Sequence, residues 1–113
     1  MYLNYIAQLS KVLRNNVSLR NTLIISHITI IIVFMCICYF IYTLDNTTFD
    51  RTSNKNKPLT FVDLCYFTCV THTTLGYGDI FPTKTITEIS VALHVMLVFF
   101  VSLFGLNEFM FKK

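Results

Sequence analysis

Five stretches of unlike polarity follow one another along the chain. Residues 1–20 place Tyr2, Tyr5, Ile6, Leu9, Leu13 and Val17 at helical spacing, with Asn4, Gln8, Lys11, Arg14, Asn15 and Ser18 on the other side. Leu23–Leu44 is a run of 22 residues without Asp, Glu, Lys or Arg. Asp45–Lys57 is polar and carries Asp45, Asp50, Arg51, Lys55 and Lys57. A short apolar segment, Leu59–His72, comes next, and Ile86–Phe111 is a mostly apolar stretch of 26 residues with Glu88 near its start.

Length assigns these stretches. At ~1.5 Å per residue the first run covers about 33 Å, enough for a hydrocarbon core of about 30 Å. The second run crosses with a tilt. Pro58 introduces the segment between them, and Thr60 with Asp63 forms a capping box, Thr60 being the N-cap. The helix predicted from about Phe61 to His72 is ~18 Å long. It is too short to cross and too apolar for a loop, so it is expected to re-enter the membrane part-way. Running inward, it points its C-terminal carbonyls at the membrane centre, where their partial negative charge favours a cation. Residues 1–22 hold Lys11, Arg14 and Arg20 and no acid, which predicts an amphipathic helix lying in the headgroup layer. A cleaved signal peptide does not fit, because the apolar run is too long and lacks a small-residue cleavage site.

Composition agrees with a membrane protein. The chain has 113 residues, 54% of them hydrophobic and only 13% charged, with a mean hydropathy of +0.60. A soluble domain carries about a quarter charged residues. The formal charge of +3 is not clustered with aromatic residues, so no nucleic-acid partner is expected. Cys36, Cys38, Cys65 and Cys69 all lie outside the polar loop and are expected to pack as small apolar groups. His27, His72 and His94 fall on three separate segments and suggest no zinc site. No catalytic set is visible, so no enzyme is expected. Asn46-Thr47-Thr48 is a glycosylation sequon close to the membrane.

The chemistry concentrates in Thr71-His72-Thr73-Thr74-Leu75-Gly76-Tyr77-Gly78-Asp79. Two of the chain's three glycines, Gly76 and Gly78, sit here at alternate positions. A backbone that turns successive carbonyls to one side alternates ordinary and left-handed residues, and Gly reaches the left-handed region without a steric cost. The stretch resembles the selectivity filter of potassium channels, usually Thr-x-Thr-Thr-Val-Gly-Tyr-Gly-Asp. Asp63-Leu64-Cys65-Tyr66-Phe67, the Thr-His-Thr-Thr run and His94-Val95-Met96-Leu97-Val98-Phe99-Phe100 resemble the miniature potassium channels of chloroviruses. The resemblance covers roughly residues 58–104.

The resemblance implies an all-α membrane protein. Two transmembrane helices, 23–44 and 86–111, flank a turret 45–57, a re-entrant pore helix 58–72 and a filter 73–79, forming a pore domain 23–113 after the interfacial helix. It also implies a homotetramer in a lipid bilayer, potassium as the permeant ion and no cofactor. Carbonyls of Thr74, Leu75, Gly76 and Tyr77 would form the ion layers, the Thr74 hydroxyl the innermost ring, and the Gly78 carbonyl part of the outer mouth. Four Asp79 carboxylates would raise the local cation concentration. Thr73, Asp79, Tyr66 and Phe67 are the expected filter support, with Tyr66 and Phe67 where many members have two Trp. Leu75 stands for the usual Val. Val70 stands where some bacterial members have a Glu that pairs with the filter Asp, so Asp79 must find another partner. Tyr77 is expected to pack behind the filter.

Phe99, Ser102 and Leu106 lie at helical spacing and are candidates for the inner pore lining. Gly105 is either a hinge or a point of close helix contact. No Arg repeat marks a voltage sensor, and with no cytosolic domain expected after Lys113, gating is expected from the pore itself. The terminal segments hold five Lys or Arg and the outer segments four, which favours both termini in the cytoplasm, in a host membrane if the chain is viral. The alternatives are a weakly selective pore and a non-conducting protein that co-assembles with host channels.

Overall fold

A computed structural model describes residues 2–53 and 57–111. Turret residues 54–56, Met1, Lys112 and Lys113 lie outside the described residues. Three helices and two short strands follow in order: α1 (Tyr2–Leu44), β1 (Phe49–Arg51), α2 (Phe61–His72), β2 (Ile80–Pro82) and α3 (Thr85–Phe111).

α1 is one helix of 43 residues, with no break between an interfacial part and a span at residue 23. The cause is legible: neither Pro nor Gly occurs from residue 2 to 44, so nothing interrupts the hydrogen-bond ladder. The subunit is accordingly elongated, 72 × 23 × 21 Å. Both long helices contain apolar windows able to cross a membrane, with mean hydropathies of 2.6 and 2.4. Only 11% and 17% of those windows is buried, which separates them from the core helices of a soluble protein. Ile28, Ile32, Val33 and Phe40 on α1, and Leu93, Met96, Phe100 and Phe104 on α3, stay exposed for lipid or for neighbouring subunits.

α2 begins as the sequence predicts. Thr60 takes an extended N-cap conformation, its side chain accepts from the Asp63 amide, and Asp63 accepts from the Thr60 amide. The turret, expected as a plain loop, holds β1. This strand pairs antiparallel with β2, Phe49 opposite Pro82, Asp50 opposite Phe81 and Arg51 opposite Ile80. Arg51 also forms an ion pair with Asp63. The turret is thereby clamped to the chain leaving the filter and to the start of the pore helix.

The core sits where these pieces meet. Phe34 and Cys38 of α1, Phe49 of β1, Leu59, Leu64 and Phe67 at the pore helix, and Ile80 of β2 form one buried cluster. Tyr42 packs against it and donates its ring to the same corner, where its hydroxyl accepts from the Leu59 amide at 2.8 Å. Thr87 at the start of α3 is fully buried, and its hydroxyl donates toward the carbonyls of Thr48 and Lys84. The core therefore braces the end of the subunit that carries the turret, leaving the far ends of α1 and α3 thinly packed.

Candidate ion-conduction site

The filter stretch leaves the C-terminus of α2 through a series of tight hydrogen bonds. The Thr73 amide donates to Cys69, the Thr74 amide to Thr71, and the amides of Leu75 and Gly76 both to the carbonyl of Val70, at 3.0 and 3.3 Å. The Thr73 hydroxyl donates to the Cys69 carbonyl at 2.8 Å. These bonds satisfy carbonyls that a helix end leaves unpaired. They also turn the amides from Thr73 to Gly76 back toward α2.

Positive φ then recurs at every second residue. Thr74 has φ +60°, Gly76 +54° and Gly78 +72°, and no other described residue has a positive φ. Gly76 and Gly78 match the sequence expectation. Thr74 does not: a β-branched residue in the left-handed region is strained and has no sequence signal. Among the described residues no donor reaches the carbonyls of Thr74, Leu75, Gly76 or Tyr77. Backbone carbonyls require a partner, and here it must come from water, an ion or another chain.

The outer end of the stretch is held by a residue that the sequence reading missed. The Thr52 hydroxyl donates to the Gly78 carbonyl at 3.0 Å, and the Thr52 amide to the Asp79 carbonyl at 2.9 Å. Gly78 thus spends one carbonyl lone pair on the turret and keeps the other. The Asp79 carboxyl lies within electrostatic reach of the Tyr66 hydroxyl.

The remaining expected residues are placed as follows within the chain. Phe67, placed in the filter support by sequence, turns into the subunit's own core and meets Phe49 edge-on, ring centres 5.2 Å apart. Leu75 and Tyr77 are left 61% and 67% exposed, so the described residues of one chain cover them only in part. On α3, Ser102 turns toward α1 and lines a groove with Leu23 and His27. Its hydroxyl donates to the Val98 carbonyl and lies 3.5 Å from His27 Nε2. Leu106 lines a groove shared with Leu13, Val17 and Leu23 of α1. Phe99 alone of that stripe is exposed without facing α1, beside Phe100. The α3 surface that packs on α1 is set by His94, Val98 and Gly105, the buried positions, and it drags Ser102 with it.

The three histidines, separate in sequence, converge behind the filter base. His27 Nδ1 lies 3.2 Å from His72 Nε2. The His72 ring is 5.2 Å from that of His94, and His94 stacks on Phe34 at 3.8 Å. Among the described residues no group of three His, Cys, Asp or Glu has metal-holding geometry. The four cysteines are free, Cys38 being buried in the core and Cys65 touching Met35.

Electrostatics at the outer surface follow the caps. The Asp63 carboxyl is held below the usual carboxylate range, first by the Thr60 amide, with the Thr60 hydroxyl and the Arg51 guanidinium adding to it and burial opposing. Asp45 is lowered likewise by the hydroxyl and amide of Thr47. Both loops are therefore pinned by ionised carboxylates on either side of the turret.

Two apolar helices, a capped half-length helix between them and a filter-like turn with alternating backbone handedness define a pore-loop architecture. An ion channel family matches residues 26–112, and the chain belongs to it. The chain is also similar to the potassium channel protein kcv of Paramecium bursaria Chlorella virus 1, 37% identical over 51 residues that cover 45% of this chain and 54% of that protein. It thus spans about half the length of this curated relative. No solved structure matches it. Family membership points to a channel and an integral membrane protein, and away from an enzyme.

Proposed function

We propose that this chain is one subunit of a potassium-selective channel in which four copies meet on a common axis. The observation that carries the reading is the alternation of positive φ at Thr74, Gly76 and Gly78 beside four carbonyls that no described residue donates to. One strand of carbonyls cannot surround an ion, but a ring of four can. The carbonyls of Thr74, Leu75, Gly76 and Tyr77 then replace the hydration shell of potassium, with the Thr74 hydroxyl below them. Asp79, near Tyr66, concentrates cations at the entrance. The C-terminal dipole of α2 favours the ion on the inner side. Conduction is passive and uses no cofactor. On this reading both termini lie in the cytoplasm, and the similarity to a viral protein supports a host membrane as the site of the channel.

The purified protein in a planar bilayer tests this. The expected result is a barium-blockable current whose reversal potential in mixed potassium and sodium follows potassium. A monomer or dimer in gentle detergent, with no such flux, refutes it. Phe67 turned into the core, with Leu75 and Tyr77 only partly covered in the subunit, favours a second reading in which a looser filter also passes sodium. A reversal potential shifted toward sodium selects that reading. Absence of current from the pure protein, restored by mixing with a host channel, selects co-assembly.

A further inference from the structure

His27 sits at the crossing of three helices. It belongs to α1, yet its two ring nitrogens face the other two helices: Nδ1 meets His72 on α2 and Nε2 meets Ser102 on α3. His72 is the last residue of α2 and stands two residues before Thr74. Ser102 lies in the inner half of α3, one turn from Gly105, which packs directly on Leu23 of α1. A single imidazole thus bridges the base of the filter to the part of α3 farthest from the braced core.

The proton bookkeeping along this bridge is determined. The Ser102 hydroxyl spends its hydrogen on the Val98 carbonyl at 2.9 Å. It can only accept from His27, which puts the His27 proton on Nε2. Neutral His27 then accepts at Nδ1, and His72 Nε2 must donate to it. His72 Nδ1 is left as a bare lone pair, and this atom is buried with no partner. The orphaned nitrogen is what that order of donors requires, and it lies on the side of His94, whose Nε2 is likewise unpaired.

We propose that His27 is a positioning residue for the filter: it fixes His72, and through it the Thr73–Thr74 turn, and ties that turn to the inner half of α3 through Ser102. Small displacements of α3 are thereby transmitted to the innermost ion layer. The inference rests on the channel reading above. It assigns His27 no contact with the ion. Its effect is on how often the filter is competent, so it shows in open probability.

The test uses the full chain in a planar bilayer, with single-channel recording and thermal dissociation of the oligomer in detergent as a separate stability readout. His27→Phe keeps the ring volume and loses both nitrogens. Open probability is expected to fall about 3- to 10-fold, the order of one hydrogen bond, with unitary conductance unchanged. His27→Gln, which can donate and accept, is expected to restore most of it. Ser102→Ala is expected to have a smaller effect alone and none in the His27→Phe background, since the bridge is then already cut. Equal open probability in wild type and His27→Phe overturns the proposal. So does equality of the Phe and Gln variants, or additivity of Ser102→Ala with His27→Phe. Should the variants fail to assemble, nitrogen–nitrogen coupling across His27 Nδ1 and His72 Nε2 in the labelled wild type decides: its presence supports the bridge and its absence overturns it. No current from the wild type refutes the channel reading, whereas a conducting wild type without this coupling refutes only the bridge.

Discussion

Gly76→Ala is the sharpest probe of the filter. Gly76 holds φ +54°, and a Cβ added there meets nothing within 4 Å in its own subunit. The substitution therefore introduces no internal clash, and its cost is conformational. An L-residue in the left-handed region costs about 1–2 kcal/mol. Thr74 already bears such a cost at φ +60° two residues away, so each subunit has little tolerance for a second. Summed over four subunits the penalty is about 4–8 kcal/mol, on the order of 10^3- to 10^6-fold in the population of the alternating conformation, at about 1.4 kcal/mol per tenfold. Potassium current in a planar bilayer is expected to vanish or lose selectivity. Oligomer recovery in detergent is measured alongside, so that loss of conduction is separated from loss of assembly. Normal current with an unchanged reversal potential refutes the reasoning, because it means the left-handed turn is not needed for conduction.

Other sites respond by different physics. At Gly105 a Cβ would lie 2.6 and 2.7 Å from the two methyls of Leu23, so Gly105→Ala is expected to destabilise the oligomer by about 1–3 kcal/mol per subunit, and Leu23→Ala in the same chain to relieve it in thermal dissociation. Thr52→Val removes the hydroxyl on the Gly78 carbonyl while keeping the amide on Asp79. Current is expected to fall about 2- to 10-fold with assembly intact, and a wild-type current would show that the outer mouth needs no such tether. Because the Asp63 carboxyl is depressed in the folded chain, its stabilisation is complete above the ordinary aspartate value of about 3.9 and is lost as pH falls through the lower folded value. Melting from about pH 6 to about pH 3 should show a smaller acid-side loss in Asp63→Asn than in wild type, and Thr60→Ala should cost about 1 kcal/mol across that range.

What could be read from the chain was local backbone chemistry. The capping box at Thr60 and Asp63, the helix from Phe61 to His72 and the left-handed glycines all depend on residues within a few positions of one another, and all are found. The strand pair was not legible, because three-residue strands are too short for periodicity and their partners are some 30 residues apart. The positive φ at Thr74 was hidden because its side chain disfavours it. The orientations of Phe67 and Ser102 within the chain share a cause that spacing does not reveal. Helical spacing fixes which residues share a face, but which way that face turns is set by tertiary packing: Phe49 draws Phe67 inward, and the contact of α3 with α1 claims Ser102. The convergence of His27, His72 and His94 is tertiary in the same sense.

The way burial is distributed bears directly on assembly. Within one subunit the filter is gripped at both ends, by Thr52 on Gly78 and Asp79 outside and by the bonds from Thr73 to Gly76 back into α2 inside. Its middle is not gripped. Leu75 and Tyr77 are covered only in part, and the carbonyls between Thr74 and Tyr77 have no donor among the described residues. Side chains of that size and four successive bare carbonyls are not a stable surface in a membrane interior, where an unpaired polar group is costly. On the proposed reading neighbouring subunits cover the side chains, while their donors do not reach carbonyls that face the common axis. A cation does. On the proposed reading, ion binding and fourfold association therefore stabilise one another, and removing potassium should weaken the oligomer. Thermal dissociation measured in potassium and again in an impermeant organic cation tests this. A dissociation temperature independent of the cation would mean that the carbonyls are satisfied by something other than an ion.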